Sequence, residues 1–236
     1  MLNKTILAFD STATVATVAV RKNGSTLGEF SVNAGNTHST TLLPMAEQLL
    51  KSCSLTFDDI DIYALAQGPG SFTGVRIGAA VVKGLAFKNE TPCVGVSTLE
   101  ALAYSLRGIK GTLCPCMNAR REQVYTAIFK SDEKTVHRVT EDMAISVEEL
   151  RERLSFYDDV YFCGDGYFLV EGLTENITPE GLRYQSAASV AAVAESIYEE
   201  SEDKSFPPDS LAPTYLRLPQ AERERLERLN KEKNND

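Results

Sequence analysis

Histidine is close to absent from this 236-residue sequence. Only His38 and His137 occur, far apart in the chain, which excludes a His-rich metal centre. Cysteine is sparse: Cys53, Cys93, Cys114, Cys116 and Cys163 are odd in number and include no CxxC pair. Four of them lie in apolar runs, where cysteine acts as a small core hydrophobe, as expected of a reduced compartment. Cys114 and Cys116 fall on one side of a predicted strand, yet two thiols without histidines make a poor zinc site. No uninterrupted apolar run approaches the roughly 18 residues of a membrane-crossing helix. The start, MLNKTILAFD, lacks the basic, apolar and cleavage regions of a signal peptide. A cytoplasmic location with no membrane partner is the expectation. Positive charge is also in deficit: 24 Lys and Arg stand against 33 Asp and Glu, a net −9. Such a chain does not grip nucleic acid across its own surface, although it can serve beside a partner that carries the basic groove.

What is present begins with Gln67-Gly68-Pro69-Gly70-Ser71-Phe72-Thr73-Gly74-Val75-Arg76-Ile77-Gly78. The hydrophobic run Ile62–Ala66 before it reads as a buried strand. The glycines and Pro69 interrupt regular structure, and a helix follows from about Thr73 to Phe87, with Ser71 or Thr73 as N-cap. Strand, glycine-rich turn and helix together make an anion-binding geometry or a tight structural turn. The helix is apolar on most sides, so it is buried on most sides, in a core or between a core and a partner.

The rest of the chain falls into two similar series. Thr5–Asp10, Val15–Val20 and Thr26–Val32 read as an antiparallel meander with a turn at Asn23-Gly24. A helix over Leu42–Cys53 follows, with Pro44 in its first turn, then the strand and helix just described. Pro92–Val96 and a helix from Ser97 to about Arg107 complete the first half. Thr112–Met117, Val124–Phe129 and Val136–Ala144 then read as strands, Ser146–Leu154 as a helix, Val160–Cys163 as a strand and Ala187–Glu200 as a helix. The order β-β-β-α-β-α occurs twice, and Asp10 and Asn118 end the first strand of each series. The expected organisation is an α/β protein of two duplicated lobes, residues 1–108 and 109–218, with a charged tail over 219–236.

The chemistry is thin. The loop at 68–74 lacks the Lys-Ser/Thr of a Walker A motif and the spacing of a dinucleotide fingerprint. Asp10 at a strand end can hold a cation or orient a water, and it can equally form the turn with Ser11 and Thr12. His38 has no nucleophile and acid spaced to join it, and reads as a surface or capping residue. Gly164-Asp165-Gly166 is a nucleotide-loop candidate or a plain turn. No catalytic residue and no metal ligand is assigned; Asp10, Ser11, Gly68, Gly70 and Gly74 stand as weak nucleotide-binding candidates.

Five segments carry a resemblance. Phe9-Asp10-Ser11-Thr12, His38–Pro44, Gly68–Gly78, Ala119-Arg120-Arg121-Glu122-Gln123-Val124-Tyr125 and Leu211–Arg217, in that order, resemble the TsaB family. That family supplies dimerisation subunits of the bacterial tRNA threonylcarbamoyladenosine complex. The resemblance implies the duplicated actin/Hsp70/sugar-kinase (ribonuclease H-like) fold and a non-catalytic role. It implies as partners the catalytic paralogue TsaD, which holds the metal, and the ATPase TsaE, which uses the ATP. A homodimer is implied when the chain is alone, and contact with tRNA only through the complex. His38 is followed four residues on by Leu42, so the metal-binding HxxxH of the paralogue is absent. Asn118 stands where the family pattern leads one to expect Asp, which weakens a cation at the second turn.

On this reading the helices Leu42–Cys53 and Val75–Phe87 lie side by side. Leu43, Leu50, Val75, Ala79, Val82 and Ala86 are expected to face a partner, with Ile77, Val81 and Leu85 on the core. The alternative is an ATP-dependent small-molecule kinase of the same fold, with Asp10 and the 68–74 loop at the phosphates.

Overall fold

The structure, a computed structural model, describes residues 3–35 and 37–217. The expected charged tail over 219–236 lies outside the described residues.

Strand β1 (Thr5–Asp10) is buried at every position, which places it at the centre of the first sheet. It pairs antiparallel with β2 (Ala16–Lys22), and β2 with β3 (Ser25–Val32). Asn23 and Gly24 close that hairpin at φ 52° and 76°, the left-handed pair that a twist-matched two-residue turn requires. On the other side β1 pairs parallel with β4 (Ile62–Gly68), and β4 with β5 (Cys93–Ser97), giving the order β3-β2-β1-β4-β5. Helices α1 (His38–Ser52) and α2 (Phe72–Ala86) cover one face side by side, and α3 (Thr98–Ser105) lies between the two sheets.

The second lobe repeats the pattern. Strand β6 (Lys110–Asn118) pairs antiparallel with β7 (Gln123–Thr126) and β8 (Phe129–Asp132) in one unbroken register, with Cys116 opposite Thr126 and Leu113 opposite Phe129. The single strand expected over Val124–Phe129 is thus two strands interrupted at Ala127-Ile128. The single strand expected over Val136–Ala144 is likewise two, β9 (Val136–Arg138) on β8 and β10 (Met143–Ser146) on β7, at opposite edges of the sheet. Helix α4 (Val147–Leu154), capped by the Ser146 hydroxyl as expected, leads to β11 (Val160–Cys163), which pairs parallel with β6. A single turn, α5 (Glu180–Arg183), precedes α6 (Ala187–Glu200). Cys93, Cys114, Cys116 and Cys163 are buried and Cys53 half-buried, all free, as core hydrophobes should be.

Three expectations need correction. Helix α1 starts at His38, a turn earlier than the apolar periodicity indicates, so Pro44 lies inside the helix and not in its first turn. Hydroxyls of Thr40 and Thr41 bonding back to Thr37 O hold that polar first turn, and Pro44 sits on the exposed side. Helix α6 does not stay with the second lobe. Its buried side, Ala187, Val190, Ala191 and Ala194, packs on Ile6, Ala8, Ile62 and Ala64, the face of the first sheet opposite α1 and α2.

The third correction concerns the interface. Leu50, Ala79, Val82 and Ala86 are buried in this chain's own core, with Leu7, Phe9, Tyr63 and Leu65, and Val75 is buried as well. Only Leu43, at 38% exposure, reaches solvent among the six. The small residues of α2 serve close packing on the sheet. A Cβ on Gly78 would stand 2.8 Å from Leu65 Cδ1 and from Ser11 Oγ. Arg76 and Lys83 are the only charged residues of α2, too sparse a polar stripe to reveal from the sequence which side is inward. The outward face of α2 carries Arg76, Ala80, Gly84 and, just past its end, Phe87 at 83% exposure. Ile77, Val81 and Leu85 are half-buried at its flank.

Candidate functional site

The two lobes leave an open cleft of about 620 Å³ between the turn after β1, the loop after β4 and the turn after β6. Thr12, Pro69, Gly70 and Phe72 form one wall, Asn118, Ala119, Arg120 and Asp165 the other, and Thr214–Arg217 close the side.

Behind Thr12 of that wall, Asp10 is 1% exposed. Its Oδ1 accepts from Thr12 N at 2.8 Å and Thr12 Oγ1 at 2.7 Å, while Oδ2 is buried with no partner among the described residues. Burial outweighs the two Thr12 bonds and pushes the carboxyl up to about 7. In the second lobe Asn118 Oδ1 accepts from Arg120 N at 2.7 Å, the same two-residue turn at the matching strand end. The matching of Asp10 with Asn118 read from the sequence is therefore a structural equivalence. Asp165 accepts weakly from Asn118 N at 3.3 Å, and burial raises its carboxyl too.

The glycine-rich loop is a tight packing turn. A Cβ on Gly74 would lie 1.9 Å from Ser11 O, and one on Gly70 2.4 Å from Thr12 O, so no side chain fits where the loop meets the end of β1. Gly68 adopts φ +116°, and a Cβ there would reach Thr214 O at 2.5 Å. Three of the loop's amides are bonded within the joint: Ser71 N donates to Thr12 O at 2.6 Å, Gly74 N to Ser71 Oγ at 3.3 Å and Val75 N to Ser71 O at 2.9 Å. Ser71 is thus the N-cap, and Ser11 Oγ donates to Gly74 O at 2.9 Å. The second lobe mirrors this, since Gly164 and Gly166 after β11 press on the backbone of Cys116 and Met117. Asp10, Ser11, Gly70 and Gly74 are brought together at the joint between the end of β1 and α2, while Gly68 packs on Thr214.

His38 stands apart from any acid–nucleophile set. Its Nε2 donates to Ala13 O at 2.7 Å, which ties the start of α1 to the turn after β1. Cys114 and Cys116 do share one side of β6, with Sγ atoms 3.9 Å apart against Thr126 Oγ1, in an apolar core. Burial raises the Cys116 thiol well above its ordinary value, so it is not poised as a nucleophile. Among the described residues no group of three or more His, Cys, Asp and Glu could hold a metal ion, and no helix is long and apolar enough to cross a membrane. The reading of residues one by one missed Asp165 as the neighbour of Asp10, and missed Tyr215 and Arg217 at the cleft. Their signals in the sequence were the Gly164-Asp165-Gly166 loop and the segment Leu211–Arg217.

Two duplicated lobes, each ending its first strand in an Asx turn above a glycine joint, put the chain in the actin/Hsp70/sugar-kinase class of folds. The family model described as TsaD, tRNA N6-adenosine threonylcarbamoyltransferase, matches residues 31–224. The tRNA threonylcarbamoyladenosine biosynthesis protein TsaB of Bacillus subtilis is 30% identical over 94% of this chain and 98% of that protein. Its namesake from Escherichia coli is 33% identical over 63% of this chain and 65% of its own. The solved structure of YeaZ from Pseudomonas aeruginosa superposes with a TM-score of 0.77 at 26% identity, covering 90% of this chain and all of that one. The chain belongs to the TsaB family.

Proposed function

We propose that this protein works in tRNA threonylcarbamoyladenosine biosynthesis as a non-catalytic subunit that pairs with a TsaD-type transferase and holds it in an active arrangement. Membership of the TsaB family carries the assignment to that biosynthesis. The observation that favours a scaffold over the kinase alternative is the cleft itself. The space at Gly70 and Gly74 is filled by the turn after β1, and the amides of Ser71, Gly74 and Val75 are bonded to Thr12 and Ser71, which narrows the loop as a phosphate cradle. On this reading the chain needs no cofactor of its own, metal belongs to the TsaD partner, and ATP is consumed by a TsaE partner. The protein acts in the cytoplasm. With a net charge of −9 it meets tRNA through the complex, since neutralised phosphates supply most non-specific affinity.

The partner face is the outer side of α1 and α2, where Leu43, Ala80, Gly84 and Phe87 are open to solvent. The same face supports a homodimer in the absence of the partner. The test is reconstitution of tRNA modification from this chain, a TsaD-type enzyme, a TsaE-type ATPase, tRNA and the threonylcarbamoyl adenylate. The chain alone should yield no modified adenosine, and omitting it should abolish turnover by the others. Ala80→Glu should keep the circular dichroism spectrum and lose both pairing and activation. Modification by this chain alone would overturn the scaffold reading, and full pairing by Ala80→Glu would overturn the face.

A further inference from the structure

The segment after α6 returns across the first lobe. Phe206 O accepts from Cys93 N at 2.8 Å at the start of β5, and Leu211 is buried in the core beneath α1 and α2. Thr214 N then donates to Gln67 O at 2.7 Å beside the glycine-rich loop. Tyr215 stacks on Phe72 with ring centroids 4.6 Å apart. The Arg76 guanidinium lies 3.9 Å over Phe72, and its Nε donates to Tyr215 Oη at 2.9 Å. This anchored strap delivers Arg217 to the opposite wall of the cleft, where Nη1 donates to the carbonyls of Ala119 and Arg120.

Those carbonyls open an unusual turn. Arg120, Arg121 and Glu122 have φ of 63°, 54° and 56°, three successive left-handed residues that all carry side chains. L-residues visit this region singly, because Cβ crowds the following carbonyl, and a run of three persists only where the surroundings hold it. Inside the turn Asn118 Oδ1 accepts from Arg120 N, Ala119 N donates to Gln123 O at 3.0 Å, and Gln123 N to Arg120 O at 3.3 Å. Successive carbonyls of a helical turn point the same way along its axis, so Ala119 O and Arg120 O offer a guanidinium two neighbouring acceptors. The lobes are also joined away from the cleft. Arg138 from β9 donates to Asp142 Oδ1 at 2.6 Å and to Glu100 Oε2 of α3 at 3.1 Å, and Ser97 Oγ donates to Asp142 Oδ2 at 2.7 Å.

We propose that Arg217 is a latch across the cleft: carried on the first lobe's strap, it holds the left-handed turn of the second lobe and fixes the width of the cleft between them. The Arg138 network keeps the lobes assembled when the latch is removed, so the effect is local to the cleft. The test is native-state amide hydrogen exchange on the full chain, comparing wild type with Arg217→Ala and Arg217→Lys. In Arg217→Ala the amides of Ala119 and Gln123 should exchange at least tenfold faster, while those of α6 and the first sheet keep their rates. Arg217→Lys, which retains the charge but not the fork, should fall between. Adding Glu122→Gly to Arg217→Ala, which removes one side chain from the left-handed run, should restore part of the protection. Unchanged exchange at Ala119 and Gln123 would overturn the latch. So would a uniform acceleration over the whole chain, which marks a general loss of stability.

Discussion

Gly84 offers a substitution whose effects on stability and on association should run in opposite directions. It lies on the outward face of α2, near the last turn, and a Cβ built there meets no heavy atom within 4 Å. Within a helix, glycine is less favourable than alanine by about 0.8–1.0 kcal/mol, through backbone entropy alone. With nothing to collide with, Gly84→Ala should recover that amount, and a chain of this size should melt about 2–4 °C higher. If helices of a partner cross closely at Gly84, the same methyl overpacks the crossing. A cost of about 1–3 kcal/mol there would weaken pairing by roughly 5- to 150-fold. Thermal unfolding followed by circular dichroism gives the first number, at a dilution where self-association makes no mass-action contribution. Sedimentation or light scattering with the TsaD-type partner gives the second. A lower melting temperature would refute the open outer face of α2. A variant that is more stable and pairs as well as wild type would remove Gly84 from the crossing.

Other perturbations separate core, charge and pH. Val82 is fully buried beneath α2, so Val82→Glu should lose more than about 4 kcal/mol and unfold whether or not a partner is present; a folded Val82→Glu that merely fails to pair would refute its inward placement. Arg21 and Glu195 pair at 2.7 Å with side chains only 15% and 10% exposed, joining β2 to α6. Glu195→Ala strands the guanidinium and should cost about 3 kcal/mol by denaturant titration, and a change within about 0.5 kcal/mol would refute that burial. Asp10 holds its proton up to about pH 7 when folded and releases it near pH 4 when unfolded, so the folded state binds more protons between those values. Stability should therefore fall as pH rises from 4 to 7, by a total on the order of 4 kcal/mol, and level off above; Asp165 acts in the same direction. Asp10→Asn should flatten most of that slope, and an unchanged slope in the variant would place the titration elsewhere.

The sequence made the duplication legible because each strand of the two series has its own period and its own stop signal. Val160–Cys163 and Ala187–Glu200 appear in the structure with the bounds that pattern alone implies. The Asx turns at Asp10 and Asn118 were legible as a pair because both end an apolar run just before a polar cluster. The direction of α2 was not, since Arg76 and Lys83 are its only charged residues and mark its polar side too sparsely, and the glycine contacts with Ser11 and Leu65, with the burial of Val75, Ala79, Val82 and Ala86, show which side is inward. The destination of α6 was hidden for a different reason. Chain order says nothing about which sheet an alanine-rich helix will cover. The left-handed run at 120–122 was equally invisible, because Arg, Arg and Glu have no preference for that region and are held there by partners distant in the chain.

The position of α6 bears on how the protein comes into being at the ribosome. The first 108 residues contain every strand of the first sheet, yet one face of that sheet stays bare until Ala187–Ala194 arrive to cover Ile6, Ala8, Ile62 and Ala64. The opposite edge likewise waits for Phe206 and Leu211. A nascent chain stalled before residue 187 displays an unprotected apolar wall, which invites chaperones or misassociation. The first lobe to be synthesised is thus completed only by residues made after the strands of the second lobe.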